Sequence, residues 1–170
     1  PAGAHCISVI HLPKHSQLII YTAVGVKELA AQGKKYAWAR PEMCPRCGGT
    51  RLWGHGYVMR SFAGYEKKVW VKRWRCPDCS GVHTMRPASH WSRFQYSRFV
   101  ILLCMVSRVA YGKWRWSQDR QNQQYWYPGL VKQSSRHVNT PSPDVEAIRR
   151  LIALCIIPVS HSIQSEQMRL

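Results

Sequence analysis

Acidic side chains are scarce in this sequence: 8 Asp and Glu stand against 25 Lys and Arg, for a formal net charge of +17. A chain with so few carboxylates has little internal charge to satisfy its cations, and the surplus favours association with a polyanion. Long apolar runs are missing too. The longest, Phe99 to Met105 extended by Val106, falls well short of the roughly 20 residues a spanning helix needs, so the expectation is a soluble chain with no membrane partner. There is no basic n-region followed by an apolar core near Pro1, which sets the expected location as cytoplasmic. Phosphate loops and nucleophile elbows are absent as well, and Cys6 with the scattered His5, His11, His15, His137 and His161 forms no recognisable catalytic set. An enzyme is therefore the last of the readings considered, behind a binding protein.

Cysteine is the residue present with a pattern. Of seven cysteines, four fall in two near-duplicate turns, Cys44-Pro-Arg-Cys47-Gly-Gly and Cys76-Pro-Asp-Cys79-Ser-Gly, separated by 28 residues. Two residues spaced Cys-x-x-Cys on a tight turn can both reach one ion, and two such turns close a tetrahedral shell. One structural Zn²⁺ held by Cys44, Cys47, Cys76 and Cys79 is the expected cofactor. The competing readings are a redox dithiol or a disulfide pair; in a reducing compartment, matched pairs favour metal. Proline after each first cysteine rigidifies the turn, and Gly48, Gly49 and Gly81 are expected to supply positive φ, so that backbone N–H groups face the sulfurs. His55 and His83 are near enough in sequence to replace a cysteine, but four thiolates leave them without that task, and both are expected at the surface or facing a ligand. Cys104 and Cys155 sit among apolar neighbours and read, like Cys6, as small core residues.

The expected fold class is α+β: a zinc-ribbon β-hairpin module followed by a small helical region. Four segments are expected: an N-terminal strand and helix segment over 1–43, the ribbon over 44–90, a helical part with a candidate helix-turn-helix over 91–136, and a linker with a C-terminal amphipathic helix over 137–170. Ile7–Ile10 and Leu18–Val24 read as strands, Val26–Ala31 as a helix ended by Gly33, and Lys34–Arg40 as extended. Arg51–Phe62 and Lys67–Arg75, either side of Gly64, alternate as the two strands of a hairpin. A buried helix is expected over 96–111, stopped by Gly112, and a second from the Ser117 cap to Tyr127, ended by Pro128-Gly129. Residues 133–143 read as linker. The last helix is expected to start with Ser142 as cap and Pro143 at its first position, to stop at Pro158, and to carry Val145, Ile148, Leu151, Ile152, Cys155 and Ile156 on one side.

The positive charge is central: residues 44–90 hold 9 basic and 2 acidic side chains, and 91–136 hold 8 and 1. Aromatic and basic residues interleave in Lys67-Lys-Val-Trp-Val-Lys-Arg-Trp-Arg75 and in Tyr111-Gly-Lys-Trp-Arg-Trp116, a composition suited to phosphate contacts with base or sugar stacking. The expected nucleic-acid face comprises Arg46, Arg51, His55, Lys67, Lys68, Lys72, Arg73, Trp74, Arg75, Lys113, Arg115 and Arg120, with DNA placed ahead of RNA. In the plainer alternative the tryptophans pack into a core and the charges solvate a strand. Gln118, Arg120, Gln121 and Gln124 would be base readers if the two central helices formed a helix-turn-helix, a reading weakened by a long connection after Gly112.

From Cys44 to about Tyr96 the chain resembles the zinc-ribbon segment at the front of some insertion-sequence transposases and in short transposon-associated proteins. The shared pattern is Cys-Pro-x-Cys-Gly, His55-Gly-Tyr57, Arg73-Trp-Arg-Cys-Pro-x-Cys79 and the exit His83-Thr-Met-Arg-Pro87, with a weaker extension into Gln121–Gly129. The resemblance implies recognition of transposon-end DNA by the ribbon, and a separate ribonuclease-H-like domain with three metal-binding carboxylates for catalysis. The sequence departs from the complete pattern: beyond the ribbon its carboxylates are Asp119, Asp144, Glu146 and Glu166, none at the end of a convincing strand. The expectation is thus a DNA-binding accessory or regulator without its own catalytic domain. The alternative is a zinc-stapled adaptor or inhibitor that docks on an acidic protein, or pairs with a second copy, through its C-terminal helix.

Overall fold

A computed structural model describes residues 18–162 of the 170-residue chain. The expected strand at Ile7–Ile10 lies outside them. The described part is α+β, with a four-stranded mixed sheet and four α-helices. It divides at Ser97/Arg98 into two compact units, residues 18–97 with the sheet and residues 98–162 with the later helices.

In the sheet unit the strands are β1 (Ile19–Thr22), β2 (Trp53–Arg60), β3 (Val69–Arg75) and β4 (Val82–Pro87), in the spatial order β1-β4-β3-β2. The β2–β3 hairpin forms as its alternation predicts, with Val58 opposite Val71 and Arg60 opposite Val69. A bulge at His55-Gly56 shifts the register between Gly54 and Tyr57. β4 was not anticipated. Its residues His83, Thr84, Met85, Arg86 and Pro87 are all buried on both faces, and its two edges pair with β3 antiparallel and β1 parallel. A strand covered on both faces has no polar and apolar alternation to betray it. Its polar members find internal partners: Arg86 donates through Nε to the His90 carbonyl and through Nη2 to the Phe94 carbonyl, and its guanidinium lies 5.1 Å from the Phe62 ring.

Helix α1 (Val26–Gln32) ends at Gly33 as expected, but the chain then makes a 3₁₀ turn, Gly33–Lys35, before it extends. Val26 and Leu29 pack with Val24, Phe62, Val69 and Val71 in one cluster. A second cluster gathers Leu52, Trp74 and Met85 around Cys44 and Cys76, and Trp38 packs against both. The cysteine turns are thereby seated on the sheet.

The helical unit contains α2 (Arg98–Tyr111), α3 (Arg120–Val138) and α4 (Val145–Ala153). α2 follows the prediction closely. α3 does not: it is capped by Asp119, whose carboxylate accepts from the Gln121 N–H at 2.9 Å, and it runs through Pro128 to Val138, taking in half of the expected linker. Pro128 is exposed, whereas the neighbouring Gly129 is buried, and a Cβ on Gly129 would lie 2.3 Å from the Val159 carbonyl oxygen. The segment after α4 therefore crosses the helix where glycine alone allows it. Buried Gln133 holds that segment by donating to the Ser160 and Ser162 carbonyls at 2.7 and 3.1 Å, and His161 Nε2 donates to the Tyr125 carbonyl at 2.7 Å. This packing outweighs the roughly 3 kcal/mol that proline costs inside a helix.

α4 starts two residues later than its sequence suggested, at Val145 and not at Pro143. Asp144, not Ser142, is the cap, accepting from the Ala147 N–H at 2.7 Å. Ile148 and Leu151 are buried within the unit, where α4 packs against α3 and α2, whereas Val145 is exposed. The buried apolar residues of this helix thus contribute to the core of the unit. Cys104 is fully buried, as expected, and Cys155 is half-buried with a left-handed φ of 56°. Among the described residues no helix is long and apolar enough to cross a membrane.

Candidate metal centre

The first cysteine turn precedes β2 and the second links β3 to β4, so antiparallel pairing of the strands brings the two turns together. The sulfurs of Cys44, Cys47, Cys76 and Cys79 all lie within 4.8 Å of one another. Across the two turns Cys44 Sγ is 3.7 Å from Cys79 Sγ, and Cys47 Sγ is 3.6 Å from Cys76 Sγ. A tetrahedral ion with metal–sulfur bonds of about 2.3 Å holds its ligands about 3.8 Å apart. The two cross-turn pairs match that spacing, the four sulfurs are close enough together to bind one metal ion, and all four are free of disulfides.

The turns are near-copies in backbone detail. Cys44 N–H donates to the Gly49 carbonyl at 2.8 Å and Cys76 N–H donates to the Gly81 carbonyl at 2.9 Å. Gly48 and Ser80, each just after the second cysteine of its turn, both adopt left-handed conformations, φ 74° and 58°. Glycine was expected to supply positive φ at Gly48, Gly49 and Gly81. Only Gly48 does so; in the second turn Ser80 takes that conformation instead. Gly49 and Gly81 stand where space is tight: a Cβ would fall 2.3 Å from Asp78 Oδ2, the end of a side chain that can swing aside, in the first case and 3.1 Å from Cys79 Sγ in the second. Asp78 in turn forms an ion pair with Arg51, a link between the turns.

The turns point backbone N–H groups at sulfur, as thiolate ligands require. Cys44 accepts from the N–H groups of Cys47 and Arg46, and Cys76 from those of Cys79 and Asp78. Burial still pushes the Cys44 thiol up to about 12, against the pull of its two N–H groups. At Cys76 burial also opposes ionisation, but the Cys79 N–H, the Cys47 side chain and the Asp78 N–H outweigh it and lower the thiol. At Cys47 the Gly49 N–H favours the thiolate, yet burial and the adjacent Cys76 thiol leave it raised. Four clustered sulfurs cannot all carry negative charge alone, and a bound dication is what makes the fully ionised set stable.

His83 sits beside this cluster. It is fully buried, where a place at the surface or facing a ligand was expected, and its Nε2 lies 3.1 Å from Cys44 Sγ. Burial, reinforced by the nearby Arg46 charge, holds the imidazole down to about 4, so it is neutral near pH 7 with one N–H. Nδ1 is buried without a partner and Nε2 is the ring nitrogen that meets the Cys44 sulfur, so that once a metal has ionised Cys44 an N–H on Nε2 would donate to the thiolate. The signal that was available is its position, two residues beyond Gly81 on the strand leaving the second turn, opposite Trp74.

The expected nucleic-acid residues are dispersed around this frame. Lys67, Lys68 and Arg75 are exposed on or beside β3, and His55, Arg46, Lys72 and Arg73 are half-buried. Lys72 Nζ lies 4.5 Å from the Tyr57 ring and 5.5 Å from that of Trp74. Trp74 itself is a core residue packed near the cysteines, which gives it the structural role. Arg51 is engaged with Asp78. Lys113, Arg115 and Arg120 belong to the helical unit. The α2–α3 connection spans residues 112–119, longer than the three or four residues of a helix-turn-helix. Comparison with protein-family models, curated proteins and solved structures gives no match.

Proposed function

We propose that this chain is a zinc-dependent nucleic-acid-binding protein, with DNA preferred to RNA, that serves a transposon as an accessory or regulator. One observation carries the reading: a four-sulfur cluster close enough to hold one ion fixes a hairpin with Lys67 and Lys68 exposed just before its second strand and Arg75 exposed at that strand's end. Four thiolates leave no open position for an activated water, so the ion is structural, and Zn²⁺ is the metal such a closed shell suits best. A reducing, cytoplasmic setting belongs to the same reading, since the thiols must stay reduced. Surplus positive charge then gives the affinity, and the transposon association rests on the ribbon motifs alone.

The test is binding of the metal-analysed chain to labelled duplex DNA and RNA over a salt series, beside a chelator-stripped sample and Cys76→Ser. One bound zinc and affinity that falls steeply with salt are expected, with both lost on stripping or on loss of the thiolate. No binding at low salt by a chain that holds its zinc would refute the function, and undiminished binding by the stripped chain would refute its zinc dependence.

A further inference from the structure

The loop between α2 and α3 leaves Trp116 97% exposed and Tyr111, at the end of α2, 74% exposed. A large aromatic surface is costly to leave in water, and at these positions it does not contribute to the core. The loop that carries them is nevertheless held firmly. Gln123, fully buried in α3, accepts from the Arg115 N–H at 2.9 Å and donates to the Arg115 and Gln118 carbonyls at 2.7 and 3.0 Å. Ser107 donates to the Lys113 carbonyl at 3.2 Å, and Arg108 donates to that of Gly112. Trp114 anchors the middle, with the Arg108 guanidinium 4.6 Å from its ring and Tyr127 edge-on at 5.9 Å. One tryptophan thus fastens the loop, while the second, two residues on, is presented to solvent.

Charge around Trp116 decides what it can receive. Arg108, Lys113, Arg115 and Arg120 lie in this stretch against one carboxylate, Asp119. That carboxylate is occupied in capping α3, where it accepts from the Gln121 N–H and from Asn122 Nδ2. An apolar protein groove would prefer apolar neighbours around the tryptophan; a polyanion with flat aromatic faces suits a cationic rim. Bases within a duplex are already stacked on both sides, so an aromatic ring that offers stacking gains most from an unpaired one. A loop fixed before binding also loses little entropy when it engages.

We infer that the Tyr111–Arg120 loop is a preformed stacking site for unpaired bases of single-stranded nucleic acid, with Trp116 as the stacking residue and Lys113 and Arg120 as phosphate contacts. This rests on the nucleic-acid reading above, but places single-strand preference in the helical unit. It assigns sequence-independent contact, because every base has a stackable face.

The test compares the zinc-loaded full chain with Trp116→Ala and Trp116→Phe, by anisotropy of a labelled oligothymidine single strand and of a labelled duplex. Trp116→Ala should weaken single-strand binding roughly 5- to 150-fold, the range given by loss of one stacked base. Trp116→Phe should retain most of it, and duplex affinity should stay within about two-fold for both. Because the ring is exposed, both variants should unfold with the wild-type midpoint. Unchanged single-strand affinity in Trp116→Ala overturns the inference and leaves the function standing, and equal weakening on both ligands overturns the preference for unpaired bases. Failure of the wild-type chain to bind either ligand overturns the function and the inference with it.

Discussion

Replacing His83 by Phe should weaken metal binding without removing a ligand. The ring is fully buried and its Nε2 is 3.1 Å from Cys44 Sγ, so phenylalanine preserves the volume and deletes one N–H donated to sulfur. A hydrogen bond to an ionised group contributes about 1.5–3 kcal/mol, and loss of such a supporting donor commonly lowers metal affinity 10- to 100-fold, about 1.4–2.7 kcal/mol. One part of the change acts in the other direction: Nδ1 is buried without a partner, and removing it relieves a desolvation cost, so the lower half of the range, about 10- to 30-fold, is expected. Competition for zinc against a chromophoric chelator measures this directly. Substitution with Co²⁺ adds a second readout, because the visible bands distinguish four sulfurs from three sulfurs and a nitrogen. The wild-type and His83→Phe spectra should agree closely, since His83 stands beside the metal shell and not in it. A marked spectral change, or affinity unaltered in the variant, would refute the assignment of His83 as a donor to Cys44.

Three further outcomes are expected. Ser80 adopts a left-handed φ of 58° where the twin turn has Gly48, so Ser80→Gly should stabilise the zinc-bound sheet unit by about 0.5–1 kcal/mol, read as a higher denaturant midpoint, whereas Gly48→Ala should cost about 1 kcal/mol. Gly129→Ala should destabilise the helical unit by at least about 2 kcal/mol, because its Cβ meets the Val159 carbonyl, while exposed Pro128→Ala should be neutral or stabilising; the reverse order in thermal unfolding would contradict the crossing described. Buried His90, held down to about 4 by burial and then by the Arg86 charge, stays neutral in the native state, whereas the unfolded chain takes up a proton below about 6.5. Its stabilising contribution is complete above pH 6.5 and falls as pH drops toward 4, by about 2 kcal/mol at about pH 5. The acid dependence should be shallower in His90→Phe by that amount, and comparing the two chains cancels the acid release of metal that both share.

The metal centre was legible in the sequence because its information is local. Cys-x-x-Cys spacing and the turn residues around it set how two sulfurs can approach one ion, and duplication of the turn supplied the other two. The hairpin was legible for a similar reason: β2 and β3 alternate because parts of them stay open to solvent, and α2 carries enough apolar residues to show its period. β4 was illegible, since burial on both faces erases alternation, and so was His83, whose meaning depends on the strand pairing that sets it beside Cys44.

The later helices divide along the same line. Pro128-Gly129 is a strong local stop signal, and read alone it ends a helix. Contacts far along the chain decided otherwise: Val159 crossing at Gly129, Gln133 holding Ser160 and Ser162, and His161 reaching the Tyr125 carbonyl outweigh a penalty of a few kcal/mol. The sequence by itself determined the four-cysteine cluster, the hairpin and the excess of positive charge, all properties of neighbours in the chain. Tertiary structure alone decided which aromatic residues are core and which are exposed, because burial depends on packing partners that sequence order does not name. Trp74 beside the cysteines and Trp116 in open solvent share the same basic, aromatic local sequence and differ only in what the fold packs against them.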